Sequence, residues 1–306
     1  MSGVEARKVL QALQAQLESV VAGKTEAIRQ LLVTLIAGGH LLIEDVPGVG
    51  KTTLAHALAA SLDTDFGRIQ FTADLLPADI IGVEIYDPAE RHFVFHPGPL
   101  FHHIVLADEI NRATPKAQSA LLEAMAEGQV SIERETRLLP QPFFVVATQN
   151  PQEHLGTFPL PESQLDRFFM RISLGYPDRE AERQVLLGEA GRNRLAELTG
   201  IATWQTIREV GKALQSVQVG PALLEYVLTL LEASRNGEWL NQGISPRAGR
   251  DLMQAARAQA WLDGNDYVTA ADVQAVWQPC LAHRVVAAGT AEAALTALLE
   301  SVPVPA

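Results

Sequence analysis

Cysteine is nearly absent. Cys280 is the only one in 306 residues, so no disulfide can close within the chain, and a reducing compartment is the simplest setting. Cys280 follows Pro279 beside an apolar helix-like stretch. No neighbouring residue would activate its thiol, so it reads as a packing residue. Positive charge is also scarce: 24 basic against 36 acidic residues leave a net charge of −12. That balance counts against a protein that grips nucleic-acid backbone regardless of sequence. Long apolar runs are missing too. The longest apolar zone, Leu31 to Ile43, is broken by Gly38, Gly39 and His40 and is too short to cross a bilayer. Residues 1–17 carry no leader-like pattern, and there is no internal repeat or low-complexity tract. With 47% apolar and 20% charged residues, the expectation is a cytoplasmic globular protein of about two domains, with no integral membrane segment.

Strand-like and helix-like segments alternate up to about Leu174. Short apolar runs occur at Leu41–Ile43, Arg68–Phe71, Ile104–Ala107, Phe143–Ala147 and Phe168–Ile172. Runs of this kind suit a parallel sheet buried on both faces. Between them, Thr114 and Pro115 open a helix with an apolar stripe of Ala117, Ala120, Leu121, Ala124 and Met125, with Thr114 as its expected cap. Two insertions predict hairpins. In 82–98, Arg91, Phe93 and Phe95 alternate with His92, Val94 and His96; 129–139 would turn at Glu133-Arg134-Glu135. After Pro177 the strands stop. Asp178 and Ser245-Pro246 open helices, the second ending near Gly264, and Thr269 with Asp272 makes a capping box. Leu223, Leu224, Val227, Leu230 and Leu231 form a further stripe. The expected fold class is α/β: a three-layer αβα domain with a parallel five-stranded sheet over 1–177, then an all-α lid domain over 178–306.

The first strand runs into Asp45-Val46-Pro47-Gly48-Val49-Gly50-Lys51-Thr52-Thr53. A buried strand leading into a glycine-rich loop that ends in Gly-Lys-Thr is a phosphate cradle. Gly48 and Gly50 let backbone N–H groups turn inward. Lys51 reaches β- and γ-phosphates, the Thr52 hydroxyl can hold Mg²⁺, and a helix beginning near Thr53 adds its positive end. One position departs from G-x-x-x-x-G-K-[ST]: the first glycine is Asp45. The third strand delivers Asp108 and Glu109 at its carboxyl end, where open parallel sheets bind ligands. Asp108 suits Mg²⁺ and Glu109 suits activation of a water. The fourth ends in Thr148-Gln149-Asn150-Pro151. Asn150 either positions that water or starts a local turn. Arg167 is either an arginine that reaches a neighbouring subunit's γ-phosphate or a local partner of Asp166 or Glu162. Arg247, at a helix start where cations are disfavoured, is either held for phosphate or simply a surface residue.

Taken together, these strings resemble the MoxR family of AAA+ ATPases. The resemblance rests on IEDVPGVGKTTLA, IQFTADLLPADIIG, GPLFHHIVLADEINRATPKAQSALLEAMAEGQV, PFFVVATQNP and FPLPESQLDRFFMRI. It covers nearly the whole chain and is densest from Leu41 to Leu174. It implies an ATPase in which Lys51 and Thr52 match Walker A, Asp108 and Glu109 Walker B, Asn150 sensor 1, Arg167 the arginine finger and Arg247 sensor 2. Segment 82–98 matches the helix-2 insert and 129–139 the pre-sensor-1 hairpin. The nucleotide-binding residues would be Pro47, Gly48, Val49, Gly50, Lys51, Thr52 and Thr53, with Thr52 and Asp108 on the metal. Asp45 is a familiar departure in this family. Val20 to Lys24 matches the segment near adenine, with Lys24 in place of the usual Gln. ATP and Mg²⁺ are the implied cofactors. The implied partners are further copies of the chain in a hexameric ring, a protein client, and a separate von Willebrand factor A domain chain. The alternatives are a nucleic-acid or chelatase-type motor, disfavoured by the charge, and a weakly hydrolysing nucleotide-gated scaffold, disfavoured by the intact catalytic set.

Overall fold

The structure, a computed structural model, describes residues 3–89, 91–132, 135–151, 156–188, 191–237 and 239–305. Two helices, α1 (Gly3–Val20) and α2 (Thr25–Ala37), lead into β1 (Leu41–Glu44), α3 (Lys51–Ser61) and β2 (Phe66–Gln70). A short α4 (Pro77–Ile81) precedes the hairpin β3 (Gly82–Asp87) and β4 (His92–Pro97). Then come β5 (Ile104–Asp108), α5 (Pro115–Glu127), and the hairpin β6 (Gln129–Ile132) and β7 (Glu135–Leu138). The sheet is completed by β8 (Phe144–Gln149), α6 (Glu162–Leu165) and β9 (Met170–Ile172). From there the elements are helices: α7 (Arg179–Leu186), α8 (Arg192–Leu195), α9 (Trp204–Ala213), α10 (Pro221–Arg235), α11 (Pro246–Leu262), α12 (Ala270–Leu281) and α13 (Ala291–Ser301).

All five expected strands join one sheet in the order β2-β5-β8-β1-β9, and every pairing in it is parallel. Their side chains alternate between two cores. Leu41, Ile43, Ile104, Leu106, Phe144 and Val146 face a cluster built with α1, α2, α3 and the C-terminal helices. Leu42, Val105, Ala107, Val145 and Ala147 face a second cluster with α5 and Ile80. Apolar side chains on both faces are what a central parallel strand requires. Three layers result.

The larger core does not stop at β9. It continues through Ile207, Leu230, Leu252, Ala256, Val276 and Trp277 of the C-terminal helices. Helices α1 and α2 therefore share one interior with α11 and α12. Arg7 donates to the Trp261 carbonyl across this junction at 3.1 Å.

Local signals hold in most places. The side chains of Asp178, Ser245 and Thr269 each accept the backbone N–H three residues on, and Asp272 returns its carboxylate to the Thr269 N–H. Three details differ from expectation. Thr114 makes no side-chain cap bond, so Pro115 alone marks the start of α5. Leu224 is 45% exposed, because it lies at the edge of the α10 stripe. The phosphate-loop helix starts at Lys51 rather than Thr53, while α11 ends at Leu262, near Gly264 as expected. Both hairpins form, and Arg137 of β7 joins them, 3.3 Å from the Glu84 carboxylate and over the Phe95 ring at 4.2 Å. Residues 133 and 134 of the expected turn lie outside the described residues. Among the described residues, no helix is long and apolar enough to cross a membrane.

Candidate active site

The carboxyl ends of β1, β5 and β8 meet at a cleft of about 340 Å³. Pro47, Gly48, Gly50, Lys51, Thr52, Thr53, Asp108, Glu109 and Asn150 line it. Gly48 and Gly50 have φ of 87° and 101°, values that side chains with a Cβ rarely adopt. Val49 turns away and packs against the core, so only its backbone is placed to serve the cleft. Lys51, at the first turn of α3, is buried and donates from Nζ to the Asp45 carbonyl at 2.5 Å.

The departure at Asp45 has a structural use. Its carboxylate is buried and accepts the Leu174 and Gly175 N–H groups at 2.6 Å, the Ser173 hydroxyl at 2.9 Å and the Val46 N–H at 2.9 Å. Burial alone would raise its pKa. The combined hydrogen bonds from Gly175, Ser173, Val46 and Leu174 outweigh that and hold it below the usual carboxylate value. The phosphate loop is thus tied to the segment that leaves the sheet after β9.

Asp108 and Glu109 sit in a polar web. The Thr148 hydroxyl donates to Asp108 Oδ1 at 2.7 Å and accepts the Glu109 N–H at 2.9 Å. From β2, the neighbouring strand, Arg68 pairs with Asp108 Oδ2 at 2.7 Å and Gln70 donates to Glu109 Oε2 at 2.9 Å. Arg112 stands 3.3 Å from the same Glu109 carboxylate. Glu109 itself is held at φ 57°, ψ 50°, a left-handed conformation that costs a non-glycine residue on the order of 1 kcal/mol or more. Arg68, Gln70 and Thr148 escaped the sequence reading as site residues. The period of two along β2, which puts Arg68 and Gln70 on one face, was the available signal; that β2 lies beside β5 is shown by the fold. Thr52 and Asp108 together supply a hydroxyl and a carboxylate, donors suited to a hard ion that keeps waters and phosphate oxygens. Among the described residues, no group of three or more His, Cys, Asp and Glu could hold a metal by itself.

Arg167 and Arg247 do not line this cleft. Arg167 precedes β9, whose first residue, Met170, pairs with Leu41 at the start of β1. In a parallel sheet that is the opposite rim from the phosphate loop. Its guanidinium donates to the Leu122 carbonyl of α5 at 2.8 Å. Arg247 lies 3.6 Å from the Asp166 carboxylate, beside Arg167 rather than beside the cleft. Lys24 is buried and donates to the Tyr176 carbonyl at 2.6 Å, next to the Gly175 that Asp45 holds. Val21 approaches the loop, 3.6 Å from where a Cβ on Gly50 would stand. Cys280 is fully buried, with its thiol pushed up to about 12 by desolvation, which makes it a packing residue.

Residues 40–170 match the model of the ATPase family associated with various cellular activities (AAA), and residues 232–301 match an AAA lid domain. The chain is 44% identical to the uncharacterized protein YeaC of Bacillus subtilis, over 87% of this chain and 83% of that one. It is 41% identical to the chaperone MoxR1 of Mycobacterium tuberculosis, over 89% and 74%. A crystal structure of a candidate ATPase from Cytophaga hutchinsonii superimposes with a TM-score of 0.91, at 36% identity, over 99% of this chain and 97% of that one.

Proposed function

Because this chain belongs to the MoxR family of AAA+ ATPases, we propose that it hydrolyses Mg·ATP at the joints between subunits of a hexameric ring and uses the energy to remodel, assemble or activate a protein client. In this reading the loop N–H groups and Lys51 hold the phosphates. Thr52 and Asp108 hold Mg²⁺, which offsets charge on the phosphate oxygens. Glu109 orients and deprotonates the water, helped by Asn150. For this, Arg68 and Gln70 must release the two carboxylates they now engage.

The observation that carries the intersubunit reading is the separation of the arginines from the cleft. A subunit whose phosphate loop lies at one rim and whose Arg167 lies at the other cannot bring both to one γ-phosphate. A head-to-tail neighbour can. Arg247, beside Asp166, belongs on this reading to the same trans-acting rim. We place the boundary between the nucleotide-binding part, 1–177, and the helical lid, 178–306, just after the segment 173–175 that Asp45 holds. The two hairpins are the client-facing loops, a separate von Willebrand factor A domain chain is a candidate partner, and the cytoplasm is the proposed setting.

Glu109→Gln tests this. It should cut ATP turnover about a hundredfold or more, retain bound ATP, and size as a closed oligomer that captures a protein in a pull-down. Normal turnover by Glu109→Gln, or a monomer with ATP bound, would sink the proposal. ATPase stimulated by DNA and retention on it would favour the nucleic-acid motor instead.

A further inference from the structure

Arg284 has no part in the roles above, yet it is among the most enclosed charges in the protein. It follows α12, and its side chain is 2% exposed. Its guanidinium reaches other segments through two hydrogen bonds and one looser ion pair. One NH group donates to the Phe168 carbonyl at 2.7 Å, the other to Asp251 of α11 at 3.0 Å, and Nε stands 3.5 Å from the Asp166 carboxylate. Asp166 and Phe168 are the two sequence neighbours of Arg167. His283 adds to the grip, with Nε2 2.9 Å from the same Phe168 carbonyl. Burial, then the Arg284 charge, pushes its pKa to about 3 and keeps it neutral there.

A buried guanidinium is costly to desolvate and persists where carboxylates and carbonyls pair with it. Its planar fork fixes the directions of its donors in one plane, whereas the three donors of an ammonium are tetrahedral and rotate. The acceptors chosen here are informative. Two of the three, Asp166 and the Phe168 carbonyl, bracket Arg167 on both sides, in the segment between the single turn of α6 and the three residues of β9. Arg167 itself is partly exposed, and its side chain is steadied by the Leu122 carbonyl. Its direction therefore depends on the backbone from Asp166 to Phe168. Catalytic geometry is sensitive at this scale: a displacement of about 1 Å can cost on the order of a hundredfold in rate.

We propose that Arg284 is a positioning residue for Arg167: it clamps residues 166–168 to α11 and α12, so that the attitude of the C-terminal helices sets how Arg167 is presented to the neighbouring subunit. The inference rests on the reading that Arg167 acts in trans. A subunit that has lost the clamp keeps a sound cleft of its own but presents a poor arginine to its neighbour.

Mixing subunits tests this in a way that loss of folding cannot imitate. Full-length Arg284→Lys should turn over ATP about tenfold or more slowly as a pure oligomer, with nucleotide affinity within about twofold of wild type. Mixed with an equal amount of Glu109→Gln, it should gain activity. Its intact clefts then meet intact arginines at about one joint in four under random assembly. Arg167→Ala mixed with Glu109→Gln is the control and should gain likewise. Asp251→Asn, at a partly exposed position, loosens the same clamp from α11, leaves the Asp166–Arg247 contact in place, and decides the matter if Arg284→Lys does not fold. Should Arg167→Ala gain on mixing while the clamp variants gain nothing, or should they run at the wild-type rate alone, the clamp does not position Arg167. Should Arg167→Ala itself gain nothing, the trans reading falls, and the inference with it.

Discussion

Asp45 stands where a strict phosphate-loop pattern has glycine, and its carboxylate is occupied by four donors from its own loop and from 173–175. Removing it leaves buried N–H groups unpaired, so Asp45→Ala should destabilise the fold by about 1–3 kcal/mol. The pH dependence follows from the depressed pKa. A carboxylate of this kind contributes in full above its unfolded value of about 3.9, and the contribution is lost as pH falls through the lower folded value. Urea midpoints of wild type and Asp45→Asn should differ by a constant amount between neutral pH and about pH 5, and converge below about pH 4. A gap that widens in acid would contradict the assignment. The residues around this site were unequally legible. That Lys51, Thr52, Asp108 and Glu109 meet in one cleft was readable, because each belongs to a motif that directly follows or ends a strand. Arg68, Gln70 and Thr148 were not, since each acts across a strand pairing between segments about 40 residues apart. Nothing in a linear pattern states which strand lies beside which.

At the scale of elements, the hairpin β3–β4 is an appendage with a tight base. A Cβ on Gly98 would overlap the Ile80 carbonyl oxygen and come within 2.7 Å of the Gly82 nitrogen. These are backbone atoms that cannot rotate away. Gly98→Ala should therefore shift the hairpin and lower stability by about 1–3 kcal/mol, while nucleotide affinity stays unchanged, because Gly98 is no part of the cleft lining. Melting and nucleotide titration on one preparation would show it. A matching loss of affinity would mean the hairpin and the cleft are one unit. Strands and hairpins were visible because period-two and continuous apolar runs are local. Register with the other hairpin was not, because Arg137 meets Glu84 and Phe95 only after both have folded. Helix starts were legible where a side chain caps them, at Asp178, Ser245 and Thr269. Thr114 failed because a residue type allows a cap bond without requiring one.

At the scale of the molecule, the larger core runs without a break from β1 and α3 into α10, α11 and α12. All four tryptophans lie between residues 204 and 277, far along the chain from the phosphate loop. Nucleotide at about a hundred times its dissociation constant adds about 2.7 kcal/mol to a state that binds it. If the interior is one cooperative unit, melting followed by tryptophan fluorescence should rise as much as melting followed by far-UV circular dichroism. A fluorescence transition that stays at its nucleotide-free temperature would divide the chain into two independent units. The placement of Arg167 before β9, at the rim opposite the phosphate loop, carries an arithmetic of its own. On the proposed intersubunit reading, each subunit is a directed link, giving an arginine from one end and receiving one at the other. An open row of such links always wastes one cleft and one arginine at its ends, and a lone link wastes both. Closure into a circle leaves none idle, so the geometry of a single strand end rewards the assembly that has no first and no last member.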